Sequence, residues 1–126
     1  MAPTSAITPR EMARYRTTAR QREIRRQQLL ESRRQMALET AQRAAALLKH
    51  DYGVSRVVLF GSLSRQEPLS AHSDIDLAVW GLEERAYYQV VSRLLDLNPT
   101  VSIDLLRAET LSGDFVDAIE ASGISL

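Results

Sequence analysis

From Arg10 to about Lys49 the chain contains no glycine and no proline, and the residues are strong helix formers. That run, about a third of a 126-residue chain, commits the N-terminal side to one long helix. Thr8 and Pro9 are placed as its N-cap and first helical residue. Asp51-Tyr52-Gly53 closes it, with Gly53 suited to the left-handed position beyond a helix end. Leu30, Ala37, Ala41, Ala44 and Leu48 form an apolar stripe at helical spacing. Before Leu29 the stripe thins to Met12, Tyr15 and Ile24 among Arg14, Arg16, Arg20, Arg22, Arg25 and Arg26. The second half of the helix is therefore expected to pack on a body and the first half to project.

Charge divides the chain in the same way. Residues 1–50 carry 10 Arg and 1 Lys against 4 Glu, whereas residues 51–126 carry 5 Arg against 12 acidic residues. The expected organisation is a basic helical arm, 1–50, and a body, 51–126. Docking on an acidic partner surface is the first reading of the arm, a solvated helix the second and nucleic acid the third; Tyr15 alone accompanies the arginines, so there is no stacking platform for single strands. With no cysteine, a disulfide framework, a thiolate zinc site and a cysteine nucleophile are excluded. The polar, Arg-rich first 25 residues do not read as a secretory signal, and no apolar run approaches the ~18 residues of a membrane span. A soluble, cytoplasmic domain without membrane contact is expected.

The body reads as strand, turn, strand, helix, strand, helix. Ser55 to Phe60 is β-rich and stops at Gly61. Gly61-Ser62-Leu63-Ser64-Arg65 reads as a turn entering a short helix, and Gln66 to Ser73 as a loop. Asp74 to Trp80 alternates as a strand, Glu83 to about Leu97 reads as a helix, Val101 to Leu106 as a third strand and Asp114 to Ala121 as a final helix. The expected fold class is α+β: a small mixed sheet of about three core strands with helices packed on one face, preceded by the long helix.

Asp74 and Asp76 carry the chemistry. At i and i+2 of a strand they point to one face, about 6–7 Å apart, while Ile75, Leu77 and Val79 point to the other. Paired carboxylates on a core strand repel unless a cation or hydrogen bonds satisfy them. Asp104, in Ile103-Asp104-Leu105, repeats the pattern on another strand. Three such carboxylates make a hard, oxygen-rich site suited to Mg²⁺, the usual partner of nucleoside triphosphates. Taken singly, each aspartate reads as a solvated strand-end residue; together, after a Gly-Ser turn, they read as a metal site. Gly61 lets backbone approach a phosphate, Ser62 adds a hydroxyl donor, and Arg65 lies one turn on. His72 reads as a solvated loop residue and His50 as a partner of the helix C-terminus. Trp80, Tyr87 and Tyr88 are read as core packing before adenine stacking.

Phe60-Gly61-Ser62, Ser73-Asp74-Ile75-Asp76-Leu77 and Ile103-Asp104-Leu105 together resemble the nucleotidyltransferase superfamily that includes DNA polymerase β. More narrowly they resemble the minimal nucleotidyltransferases, antitoxin partners of HEPN ribonuclease toxins. The resemblance covers about Val54 to Leu126 and not the arm. It implies a polymerase β palm-like fold, Gly61 and Ser62 as phosphate-binding residues, and Asp74 and Asp76 as paired metal ligands. Asp104 takes the third place, as metal ligand or base. It also implies two Mg²⁺ ions that clamp the attacking hydroxyl and the leaving pyrophosphate. The implied activity is transfer of AMP from ATP to a tyrosine of a HEPN toxin in a hetero-oligomer, the added anion then blocking RNA. A non-catalytic antitoxin that neutralises by binding, and a small-molecule adenylyltransferase of aminoglycoside type, are the alternatives. Two departures bear on how Arg65 and the phosphates sit. Eleven residues separate Ser62 from Asp74, one more than is usual, and Gln66 stands where a second glycine is common. A 76-residue body leaves its metal face open to water, which favours a protein acceptor that supplies the missing wall.

Overall fold

The computed structural model describes residues 6–65 and 74–126. The longest element, α1 (Pro9–Tyr52), starts with a reciprocal cap. The Thr8 hydroxyl accepts from the Glu11 N–H at 3.1 Å, and the Thr8 N–H donates to the Glu11 carboxylate at 3.3 Å. It ends at Gly53, whose φ of 65° is left-handed and whose N–H donates to the Leu48 carbonyl. Residues 6–29 are exposed throughout, and burial begins with Ala37, Thr40, Ala41, Ala44, Ala45 and Leu48. The small alanines let the helix backbone lie close to the sheet. Thr40, buried among them, donates to the Met36 carbonyl and accepts from the Asn98 amide, so its hydroxyl is satisfied.

Strands β1 (Arg56–Phe60), β2 (Ile75–Trp80), β3 (Ile103–Arg107) and β4 (Ile124–Ser125) form one mixed sheet in the order β3-β2-β1-β4. The strand β1 is antiparallel to β2 and to β4, while β2 and β3 are parallel. Joining parallel neighbours requires a crossover, and α2 (Tyr87–Leu95), led by a 3₁₀ turn at Glu84–Ala86, provides it. Helix α3 (Gly113–Ser122) follows a second 3₁₀ turn, Ala108–Thr110. Arg93 of α2 pairs with Asp51 at 2.8 Å and lies over the Tyr52 ring, tying the crossover to the end of α1.

Alternation along the strands sorts the core into two layers. Val57, Leu59, Ile75, Leu77, Val79 and Leu105 pack with α1 and with Val90 and Leu94 of α2. Val58 and Ala78 pack on the opposite face with Ile119 of α3, flanked by Phe60 and Trp80. The mixed sheet and long leading helix are those the sequence implies. Two details differ: a fourth strand closes the sheet edge, and α3 covers the second face instead of joining α1 and α2. Ile119 is the apolar residue that dictates this, because Val58 and Ala78 would otherwise face water.

Candidate active site

The second face holds the site. Register places Asp76 of β2 beside Phe60 of β1 and beside Asp104 of β3, on strands about 4.8 Å apart. Asp74 lies two residues before Asp76 on the same side, just ahead of β2, where the Ile75 N–H bonds the Ser102 carbonyl at 2.9 Å. Asp74 and Asp104 are exposed and Asp76 is half-buried. Burial pushes the Asp76 carboxyl above its ordinary range, and the charges of Asp104 and then Asp74 push it further. The three carboxylates therefore act on one another, as the paired-strand reading requires.

Gly61 lies against this cluster. Its φ of 80° is left-handed, and a Cβ there would overlap the Asp76 carboxylate. The turn backbone thus rests on the acid, the close approach that a phosphate held between them needs. Beyond Gly61 the chain makes turns and not the short helix expected. The Ser64 hydroxyl and N–H both bond the Gly61 carbonyl, at 2.7 and 3.2 Å, and the Arg65 N–H bonds the Ser62 carbonyl. A serine that captures a local carbonyl competes with helix formation. Leu63 is buried, and its carbonyl accepts from Arg34 of α1 at 3.0 Å. The long helix therefore holds the Gly61 turn in place, a link that pattern reading could not find across 29 residues.

Two clefts meet at Phe60. One, of about 360 Å³, includes Asp76 and Asp104 and runs to Tyr87 and Val91. The other, of about 210 Å³, lies between Gly61, Arg65 and α3, with Phe115 and Ala118 on its wall. Phe115 meets Phe60 edge to face, centroids 6.2 Å apart at 87°. Phe115 was not singled out from sequence; its distance in the chain from Phe60 hides the pairing. Tyr87 donates to the Leu105 carbonyl at 2.7 Å and is half-buried, in line with packing. Tyr88 is 83% exposed and departs from that expectation. Trp80 sits under the Arg56 guanidinium, 4.7 Å from its centroid, on the α3 side. His50 bonds Asp51 at 3.0 Å, at the far end of α1 from its cap. His72, Ser73 and the rest of the loop 66–73 lie outside the described residues.

Among the described residues, no three acidic or imidazole groups form a ready-made metal cage. Mg²⁺ keeps waters and takes one or two carboxylates together with substrate phosphates, so an open set of oxygen donors suits it. Mutual repulsion at Asp76 and the Gly61 cradle fit a cation with its phosphates.

Residues 42–126 match the family described as polymerase beta, nucleotidyltransferase. The chain belongs to this nucleotidyltransferase family. No curated protein matches it by sequence. Among solved structures, this nucleotidyltransferase is similar to a mutant MntA–HpeT toxin–antitoxin (TM-score 0.55, 21% identity, 68% of this chain and 70% of that one). It is similar also to the Shewanella oneidensis complex of a tri-AMPylated HEPN toxin with its MNT antitoxin (TM-score 0.53, 20% identity, 71% and 70%). A protein assigned to the minimal nucleotidyltransferases matches at TM-score 0.50 and 26% identity, over 79% of this chain and 94% of that one. The first two likenesses are of fold. Among the described residues, no helix is long and apolar enough to cross a membrane.

Proposed function

We propose that this nucleotidyltransferase moves AMP from ATP to a tyrosine hydroxyl of a HEPN-type toxin and so acts as its antitoxin. The observation that carries the reading is the in-register pairing of Asp76 with Asp104, Asp74 beside them, under a glycine turn that touches Asp76. The similar complex with a tri-AMPylated HEPN toxin supports the choice of acceptor. Asp74, Asp76 and Asp104 are the residues to hold two Mg²⁺ ions, which supply charge neutralisation on the phosphates and at the attacking oxygen.

In the transfer, the tyrosine oxygen forms a bond to the α-phosphorus of ATP, the bond to the bridging oxygen breaks, and pyrophosphate leaves. The hydroxyl proton passes to a carboxylate, and Asp104, exposed on the open side, is placed to take it. Gly61 and Ser62 receive the phosphates, Arg65 flanks them, and the pocket between Phe60 and Phe115 takes the base. The carboxylate cleft on the other side of Phe60 is then left for the acceptor. In this reading the chain works as a basic arm (1–50) and a body (51–126), with the second half of α1 serving the body's core. An ATP donor places the protein in the cytoplasm.

Incubation with α-labelled ATP, Mg²⁺ and the co-encoded HEPN partner, read by intact mass, tests this. The partner should gain one adenylyl mass per event, and none with Asp74→Asn plus Asp76→Asn. A stable complex with no mass gain would overturn the enzymatic reading in favour of neutralisation by contact.

A further inference from the structure

The family match begins at residue 42, so the exposed part of α1 needs its own account. It is a continuous helix from Pro9 whose residues through Leu29 are all exposed. An isolated helix of this kind is marginal in water, so a partner that orders it contributes to its stability. It carries Arg10, Arg14, Arg16, Arg20, Arg22, Arg25 and Arg26 against Glu11 and Glu23. Glu23 is bonded to Arg26 at 2.7 Å.

The distribution of these charges around the helix selects the partner. At about 100° per residue, no sector of the circumference wider than about 80° lacks an arginine. A helix that docks in a protein groove presents one apolar face, read as anchors at i, i+3, i+4 and i+7. The exposed apolar residues Met12, Tyr15, Ile24 and Leu29 do not line up in that way. What fits a helix cationic all round is a groove with anions on both walls. The major groove of B-form DNA is about 12 Å wide and admits a helix of about 10–12 Å diameter with side chains. The A-form RNA groove is too narrow, and single strands need aromatic platforms that this stretch lacks beyond Tyr15. The body repels phosphates, with 5 Arg against 12 acidic residues, and a projecting arm keeps the duplex at a distance from it.

We infer that residues 9–29 dock in the major groove of double-stranded DNA, held by phosphate contacts and therefore with little sequence preference.

The test is fluorescence anisotropy of the full chain with a labelled duplex of arbitrary sequence, about 30 base pairs or three turns long, over a range of salt. Five to seven phosphate contacts give a log–log salt slope of about −4 to −6. Replacing Arg14, Arg16, Arg20 and Arg25 together by Gln keeps helix propensity. That variant should bind the duplex about tenfold or more weakly, with a slope shallower by about 3 to 4. Its thermal midpoint and its adenylyl transfer should be those of the parent, since the arm touches neither core nor site. No duplex binding near ~50 mM salt, unchanged binding by the variant, or equal affinity for single-stranded DNA or duplex RNA would each overturn the inference. Self-association abolished in the variant would also overturn it, assigning the arm to the acidic body of a second copy. So would loss of the HEPN complex in the variant without duplex binding by the parent, which assigns the arm to an acidic protein surface.

Discussion

The two halves of α1 share one secondary structure and have opposite fates. Between Ala37 and Leu48 the helix buries five apolar side chains and one threonine against the sheet, while from Pro9 to Leu29 it buries nothing. Helix propensity scarcely separates the halves, since Ala, Arg, Gln, Glu and Leu populate both. What differs is whether one face is free of long charged side chains. Ala37, Ala41 and Ala44 leave room for the sheet to approach, whereas arginines on every side of the outer half keep water around it. A secondary element is thus a local decision and its burial a separate one, made where a stripe finds a partner surface.

The largest expected effect lies in the body and leaves the arm untouched. Asp74→Asn with Asp76→Asn should lower the transfer rate about 10³-fold or more, the several kcal/mol that metal-assisted charge stabilisation supplies. The same variant should lose any Mg²⁺-dependent rise in Tm while its helix content stays that of the parent. A residual rate near the parent's would mean the carboxylates are not the metal ligands.

Stability separates the halves next. Leu48→Ala should cost about 2–5 kcal/mol in urea unfolding, the usual penalty for a cavity at a fully buried leucine. Leu29→Ala should stay within about 0.5 kcal/mol. Equal costs would break the comparison by showing that the outer half is packed.

A smaller effect runs in the opposite direction. The Asp76 carboxyl is pushed above its ordinary range in the folded state, so its ionised form destabilises the fold above that raised pKa. The penalty fades as pH falls through the folded pKa and is gone below the unfolded one. Asp76→Asn should therefore raise Tm by a few degrees at neutral pH without Mg²⁺, and the gain should shrink on acidification. A lower Tm for Asp76→Asn at neutral pH would show that the carboxylate is satisfied by bonds instead of strained.

Smallest and most local is the cap. Thr8→Ala removes the hydroxyl acceptor for Glu11 and should cost about 1 kcal/mol of helix stability at the arm's end. Faster amide exchange in the first turn, with an unchanged global midpoint, would match an arm that melts independently. A shifted midpoint would tie the arm to the core.

Much of this was legible before any coordinates. The Thr8-Pro9 start and the Gly53 stop are local chemistry, and both fall where pattern reading puts them. The stripe Ala37, Ala41, Ala44 and Leu48 is the buried face of α1, and Ile75, Leu77 and Val79 are the buried side of β2. Other features were hidden for physical reasons. Strand β4 has two residues, too few to show a period, and exists because Val58 and Leu59 offer it an edge. Ser64 looks compatible with a helix until its hydroxyl is seen to take the Gly61 carbonyl. Phe115 becomes a wall of a pocket only when α3 lies over the face that carries Phe60.

What the residues determined unaided was short-range: where α1 begins and ends, which strand face is apolar, and that three aspartates of the right chemistry stand on alternating strands. Tertiary structure alone decided that Asp76 meets Asp104 on one rung, that Gly61 lies on Asp76, and that α3 closes one side of the cleft. The reason is that alternation specifies a face and not a rung. A shift of two residues keeps every side chain on its face while moving each acid away from its partner. Register is settled by the α2 crossover and by packing between residues far apart in the chain, and there the site is made.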